Sequence, residues 1–199
     1  VRWTPPDENG ADVSAYEIQV VESGSPVRTI PVADVTLLQL TVTGLENGTP
    51  YTFSYRARNK AGWSPWGPAS AVTTPAGVPL GATDVAAAAN DRAATLTFSA
   101  PDANGSPITG YKVSVNGGAF QTLPSDRVVR TLTNGTSYAF RVRACNDVDP
   151  VNCGAVSNTS NAVVPYGAPS APNVTASVNS RTITWSWNTP NGNGRAITR

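Results

Sequence analysis

Two cysteines, two tryptophans and a scatter of carboxylates are the residues of this chain whose types and spacing could do chemistry. Cys145 and Cys153 bracket the stretch "CNDVDPVNC". Two sulfurs are too few for a structural zinc site, and an even number at close spacing suits one disulfide formed in an oxidising compartment. A pair of free reactive thiols is the alternative. Asp147 and Asp149 lie in the same loop and offer at most a weak cation site. Trp63 and Trp66 stand three residues apart in "NKAGWSPWG", among Gly, Ser and Pro, residues that build turns rather than cores. Large rings in a loop are either a binding surface or are covered by another part of the chain.

The rest of the composition narrows the choices. No His is present among the 199 residues, which removes the commonest general base and the commonest metal ligand together. Many Ser and Thr occur, but no Gly-x-Ser-x-Gly elbow accompanies them. Three loops, "PDENG", "PDANG" and "PNGNG", carry acid and amide runs. None supplies the further oxygen ligands and closing Glu of a calcium-binding loop, so turn chemistry is the better reading. With 14 basic and 13 acidic residues the formal net charge is +1, and no long-range field steers the chain toward nucleic acid or an anionic membrane. The basic residues are 12 Arg and 2 Lys, a skew that fits a high-GC coding background. No apolar run approaches the roughly 20 residues that span a bilayer. The 40% hydrophobic content is enough to fill one or two ordinary cores. The chain has no Met, so a fragment of something larger is expected.

The elements that must position these residues emerge from an internal repeat. "WTPPDENGADVSAY" (Trp3 to Tyr16) lies over "FSAPDANGSPITGY" (Phe98 to Tyr111) without a gap, and a third copy opens at Trp187 with "WNTPNGNGRAIT". "LENGTPY" (Leu45 to Tyr51) matches "LTNGTSY" (Leu132 to Tyr138), and the interlocking offsets define a unit of about 90 residues. Within the unit the apolar period is two. "YTFSYRARN" places Tyr51, Phe53, Tyr55 and Ala57 on one face and Thr52, Ser54, Arg56 and Arg58 on the other, the alternation of a half-buried antiparallel strand. In its copy Tyr138, Phe140, Val142 and Ala144 point inward, while Arg141, Arg143 and Cys145 point out. "YEIQV", "LQLTV", "YKVSV" and "TITWSW" alternate as well, between clusters of Gly, Pro and Asn. "VAAAAN" (Val85 to Asn90) sits where the repeat needs an opening strand. Seven short strands per unit predict an all-β, two-sheet sandwich.

Taken together these residues resemble the fibronectin type III module. The resemblance rests on an aromatic followed by Pro near the end of the second strand (Trp3 and Pro6, Phe98 and Pro101, Trp187 and Pro190). It rests also on Leu-x-x-Gly-Thr-x-Tyr before the sixth strand, and on Ala-x-Asn at that strand's end (Ala57 and Asn59, Ala144 and Asn146). It covers essentially the whole chain and implies tandem seven-stranded immunoglobulin-like sandwiches. It further implies that Trp3, Phe98 and Trp187 are core aromatics, and that Tyr51 and Tyr138 form tyrosine corners whose hydroxyls tie to backbone upstream. "WSPWG" is similar to the Trp-Ser-x-Trp-Ser element of cytokine-receptor modules, with Gly67 in place of the last Ser. That likeness implies that Trp63 and Trp66 intercalate with Arg56 and Arg58 in a structural ladder. A ligand platform for sugar rings is the alternative reading of the same four residues. Cys145 takes the place of Arg58 in the second copy, where a disulfide to Cys153 would clip the hairpin loop.

Aligned prolines (Pro75 over Pro165, Pro79 over Pro169) mark short, stiff linkers. The expected division is 1–75, a module lacking its first strand and most of its second; 76–165, a complete module; and 166–199, the opening of a third. Four Asn-x-Ser/Thr sequons begin at Asn47, Asn134, Asn158 and Asn173, two of them coinciding with the Gly-Thr turn of the corner. Glycoside hydrolysis would need two carboxyl groups held across a cleft, which end-to-end modules do not offer, so no enzyme, cofactor or metal site is expected. The expected role is an extracellular or cell-surface spacer or adhesion array. Its partners would be proteins, polysaccharides or neighbouring modules of the same polypeptide, with no nucleic acid and no membrane insertion. One alternative is an accessory carbohydrate-binding region of a secreted polysaccharide-degrading enzyme. Another is a filament subunit that self-associates head to tail, residues 166–199 donating the strands that 1–75 lack.

Overall fold

The structure, a computed structural model, describes residues 1–198, which form twelve β-strands and no helix. The chain gathers into two compact units, residues 1–77 with 104–106, and 78–103 with 107 onward.

In the first unit β1 (Ala15–Glu22), β2 (Ser25–Val32), β3 (Tyr51–Asn59) and β4 (Gly62–Trp63) make one antiparallel sheet in the order β2-β1-β3-β4. The period of two holds along β1, where Tyr16, Ile18 and Val20 are buried between half-exposed neighbours. Trp3, Tyr16, Ile18, Val32 and Ala57 form the core, and Tyr55 packs against it from the side. The rings of Trp3 and Tyr16 meet edge to face at 5.6 Å. The edge strand β2 carries Pro26 and Pro31, neither of which has an N–H to donate, the kind of residue tolerated on an edge.

The expected strand "LQLTV" does not form. Val1 to Trp3 supply its pairing through Trp3 N–H to Leu38 O (3.1 Å) and Leu40 N–H to Val1 O (2.9 Å), with one bridge, Arg2 to Gln39. Ser54, assigned from alternation to the outer face, is buried nonetheless, and Phe53 and Tyr55 on the inner face are only half-buried.

The second unit is a two-sheet sandwich. One sheet joins β10 (Phe140–Cys145), β7 (Gly110–Val115) and β8 (Gln121–Leu123); the other joins β5 (Thr83–Asn90), β6 (Ala93–Ser99) and β9 (Val128–Val129). Ala94, Leu96, Phe98, Val113, Phe140 and Val142 dominate the core between them. The Ala-rich stretch is indeed a strand, β5. Its free edge is met by the Asn161 side chain, which accepts from Ala87 N–H (2.8 Å) and donates to Ala87 O (3.0 Å). That amide stands in for a ladder partner and joins the first strand to the last segment. Cys145, on the face of β10 opposite to Phe140, Val142 and Ala144, is buried through its bond to Cys153.

After residue 173 the chain forms a hairpin, β11 (Val174–Asn179) paired with β12 (Thr182–Trp187). Trp187 was expected in a core and is 68% exposed, as are Trp185 and Ile183 to a similar degree. Alternation correctly put these side chains on strands. Two strands alone, however, have no second sheet among the described residues to cover either face.

The Asn-Gly loops behave as turns. Asn9-Gly10, Asn104-Gly105 and Asn193-Gly194 all have positive φ at both positions (50° and 77°, 55° and 88°, 48° and 96°), the conformation for which Asn followed by Gly is selected. Both corner tyrosines reach five residues upstream: Glu46 N–H donates to the Tyr51 hydroxyl (3.1 Å) and Thr133 N–H to the Tyr138 hydroxyl (3.0 Å). Acceptance of that bond from Thr133 holds the Tyr138 phenol below its usual pKa. Tyr51 is buried and Tyr138 half-exposed, so water can replace the second bond more readily. Tyr51→Phe is therefore expected to destabilise its unit by about 1–2 kcal/mol and Tyr138→Phe by less than about 1 kcal/mol. Amide exchange at Phe53 and Phe140 would read the two units separately.

Candidate functional site

The tryptophans are placed by the way the chain returns alongside β3. A regular strand would advance two residues for each two of its partner. Here the returning backbone advances three: Ser64 N–H donates to Ala57 O, Gly67 to Tyr55 O, Ser70 to Phe53 O and Thr73 to Tyr51 O, all at 2.8–2.9 Å. Three residues per step is the period of a polyproline-type helix, which suits Pro65 and Pro68, neither of which has a donor to offer. Side chains three apart then share a side. Trp63 and Trp66 fall together for that reason.

Two amides of β3 on the side of this return, those of Ala57 and Phe53, are met by serine. Ser64 Oγ accepts from Ala57 N–H (3.1 Å) and donates to Pro65 O (2.9 Å); Ser70 Oγ accepts from Phe53 N–H (3.0 Å) and donates to Ala71 O (2.9 Å). Between them, at Gly67, a Cβ would lie 3.2 Å from Tyr55 O, so the departure from Ser at this position fits a tight approach.

Against this frame stand the arginines. The Arg56 guanidinium lies 4.7 Å from the Trp63 ring centre and 4.5 Å from that of Trp66, and Arg58 lies 5.8 Å from Trp63. Arg56 is further tied to Glu17 Oε2 through Nη2 (2.6 Å) and Nε (2.8 Å). Sequence reasoning missed Glu17. Alternation in "YEIQV" marks it as outward, but only the β1–β3 register, which sets Glu17 opposite Arg56, shows what it meets. Trp63 retains 36% exposure and borders a shallow cavity of about 270 Å³ shared with Asp7, Glu8, Arg58 and Asn59.

In the second unit the same return carries a disulfide. Cys145 at the end of β10 bonds Cys153, and from there Gly154 N–H donates to Ala144 O, Ser157 to Val142 O, Ser160 to Phe140 O and Val163 to Tyr138 O (2.8–3.0 Å). Ser157 and Ser160 again accept from β10 amides (Val142 and Phe140) and donate to the next carbonyl. The loop closed by the disulfide is organised by Asp149. Its carboxylate accepts from Val151 N–H, Asn152 N–H and the Asn152 side chain, and the backbone bond from Asn152 above all holds its pKa below the usual 3.8. Those oxygens are engaged with the loop's own donors. Among the described residues no three or more His, Cys, Asp or Glu side chains converge in a way that could hold a metal ion. Arg143 stacks on Phe120 at 4.6 Å and donates to Asn152 O (2.9 Å), an Arg/ring contact that sequence reading did not anticipate because Phe120 lies on a different loop.

A sandwich closed by a tyrosine corner and by a three-residue-stepped return is an immunoglobulin-like β-sandwich module. The profile of the Fibronectin type III domain matches residues 1–73 and 81–152, and the chain belongs to that family. It is 33% identical over 169 residues to Endoglucanase B of Cellulomonas fimi, covering 78% of this chain and 16% of that protein. It is 30% identical over 158 residues to Fibronectin type III domain containing protein 3C1 of Mus musculus, covering 73% of this chain and 11% of that one. The chain thus spans less than a fifth of the length of either relative. A crystal structure of titin domains covers 74% of this chain and is itself covered to 53%, with 21% identity and a TM-score of 0.44.

Two outcomes are expected. Arg56→Ala removes two ring contacts and the Glu17 pair, and should cost the first unit about 1–3 kcal/mol, with Arg56→Lys recovering only part because the planar fork is lost. Urea denaturation followed by tryptophan fluorescence, dominated in its cooperative change by Trp3, Trp63 and Trp66, would measure it. Reduction of Cys145–Cys153, a separation of eight residues, should lower the stability of the second unit by about 2–3 kcal/mol. Calorimetry with and without reductant is the check.

Proposed function

We propose that the chain is a non-catalytic spacer or adhesion segment of an extracellular or cell-surface protein, built from fibronectin type III modules at 1–75 and 76–165 with a third beginning at 166. The observation that carries this reading is Arg56. It contacts both candidate platform rings and is itself anchored by Glu17, so the aromatic pair is bound into its own sheet. The disulfide supports an oxidising location, and among the described residues no helix is long and apolar enough to cross a membrane.

A second reading, an accessory polysaccharide-binding region, is favoured by the similarity to Endoglucanase B and by the exposed part of Trp63 beside Asp7, Glu8 and Asn59. Pull-down on insoluble cellulose and xylan separates the two. The spacer reading expects no retention of the native chain, and a lowered melting temperature for Trp63→Ala with Trp66→Ala. Retention of the native chain that the double variant abolishes would overturn it.

A further inference from the structure

Asn134, in the corner turn of the second unit, has every polar hydrogen of its side chain in use. Its Oδ1 accepts from Arg92 N–H (2.8 Å), and its Nδ2 donates both to Asp91 Oδ1 (2.7 Å) and to Asn193 Oδ1 (2.8 Å). The first two partners belong to the sandwich. The third belongs to the Asn-Gly turn that lies beyond the linker and the β11–β12 hairpin, 59 residues away in sequence.

The bonds around this contact form a closed set. Gly135 N–H donates to Pro165 O (2.9 Å), at the entrance of the linker. Gly167 N–H donates to Asn193 O (2.9 Å), Asn193 Nδ2 to Ala168 O (3.0 Å) and Ser170 N–H to Asn191 O (2.9 Å). The Arg195 guanidinium lies 3.6 Å over the Tyr166 ring. Glycine is required where the backbones meet. At Gly194 (φ 96°) a Cβ would sit 2.5 Å from Pro165 O and 2.8 Å from Gly135 N; at Gly167 it would sit 2.6 Å from Asn193 Nδ2 and strike Asp91 Oδ1.

We propose that the Asn134-Gly135 turn is a docking surface for the Asn191–Gly194 turn of the following segment, and that the two turns clasp residues 165–170 into a restrained joint. Pro165 and Pro169 alone stiffen the linker but leave its torsions to choose a direction; the clasp selects one. The sequence elements of such a joint recur, as Asn-Gly-Thr at 47–49 and Asn-Gly at 104–105. The clasp also excludes a modification. An N-linked glycan at the Asn134 sequon would leave one hydrogen on Nδ2, and the side chain could no longer serve both Asp91 and Asn193.

This inference rests on the spacer reading, for which a fixed direction between successive segments is useful, and it fails separately from it: polysaccharide retention would leave the joint untouched. The test is amide exchange by NMR on the whole chain. Gly135 and Gly167 are expected to exchange at least about ten-fold more slowly than the turn amide of Gly24. Asn193→Ala and Gly194→Val, both outside the sandwich, should each remove that protection while leaving Phe140 and Val142 as slow as before. Gly135 and Gly167 amides that exchange freely in the native chain, or that keep their protection in both variants, would overturn the proposal, as would a glycan found on Asn134 of the natural protein.

Discussion

The hydrogen bonding between β3 or β10 and the segment that returns beside it is the interaction on which most else depends. β3 and β10 present donors and acceptors at two-residue spacing, and the return meets their carbonyls once every three of its own residues. A backbone coiled to that period cannot also accept from every strand amide. Buried amides without partners cost on the order of 1–3 kcal/mol each. Serine hydroxyls at 64, 70, 157 and 160 meet four of these amides, accepting from the strand and donating onward to the next carbonyl. The same bond pair appears four times in two units of different sequence.

From that frame follows what sits on it. The threefold period brings Trp63 and Trp66 to one side, where the outward arginines of β3 meet them, and Glu17 holds the arginine that touches both. The second unit has neither tryptophan, and at the corresponding end of β10 a covalent bond joins strand and return. The two arrangements respond to different conditions. An Arg/Trp stack of about 0.5–1 kcal/mol per contact is insensitive to redox state, whereas the disulfide contributes more and requires an oxidising compartment. Both hold the same corner of the sandwich.

At the opposite end lies the corner tyrosine, Tyr51 opening β3 and Tyr138 two residues ahead of β10. There the turn that receives the hydroxyl, Glu46–Asn47 or Thr133–Asn134, also carries an asparagine. In the second unit that asparagine binds the sandwich with one part of its amide and the following segment with another. One short turn therefore settles both the crossover between sheets and the exit direction of the chain.

Much of this was legible in the sequence, because it follows from local chemistry. Alternation along "YEIQV" and "YTFSYRARN" marks strands, Asn-Gly marks turns with positive φ, and paired spacing marks Tyr51 with Tyr138 and Cys145 with Cys153. Local pattern also misled where pairing was decisive. "LQLTV" alternates like a strand but makes only the Arg2 to Gln39 bridge, and Trp187 alternates like a core residue on a hairpin that nothing among the described residues covers. Glu17, the serine hydroxyls, the Asn161 amide across β5 and the joint at Asn134 could be assigned only from the tertiary structure. Each is a partnership between residues distant in the chain, and register, not composition, decides which of many outward polar side chains come within 3 Å of one another.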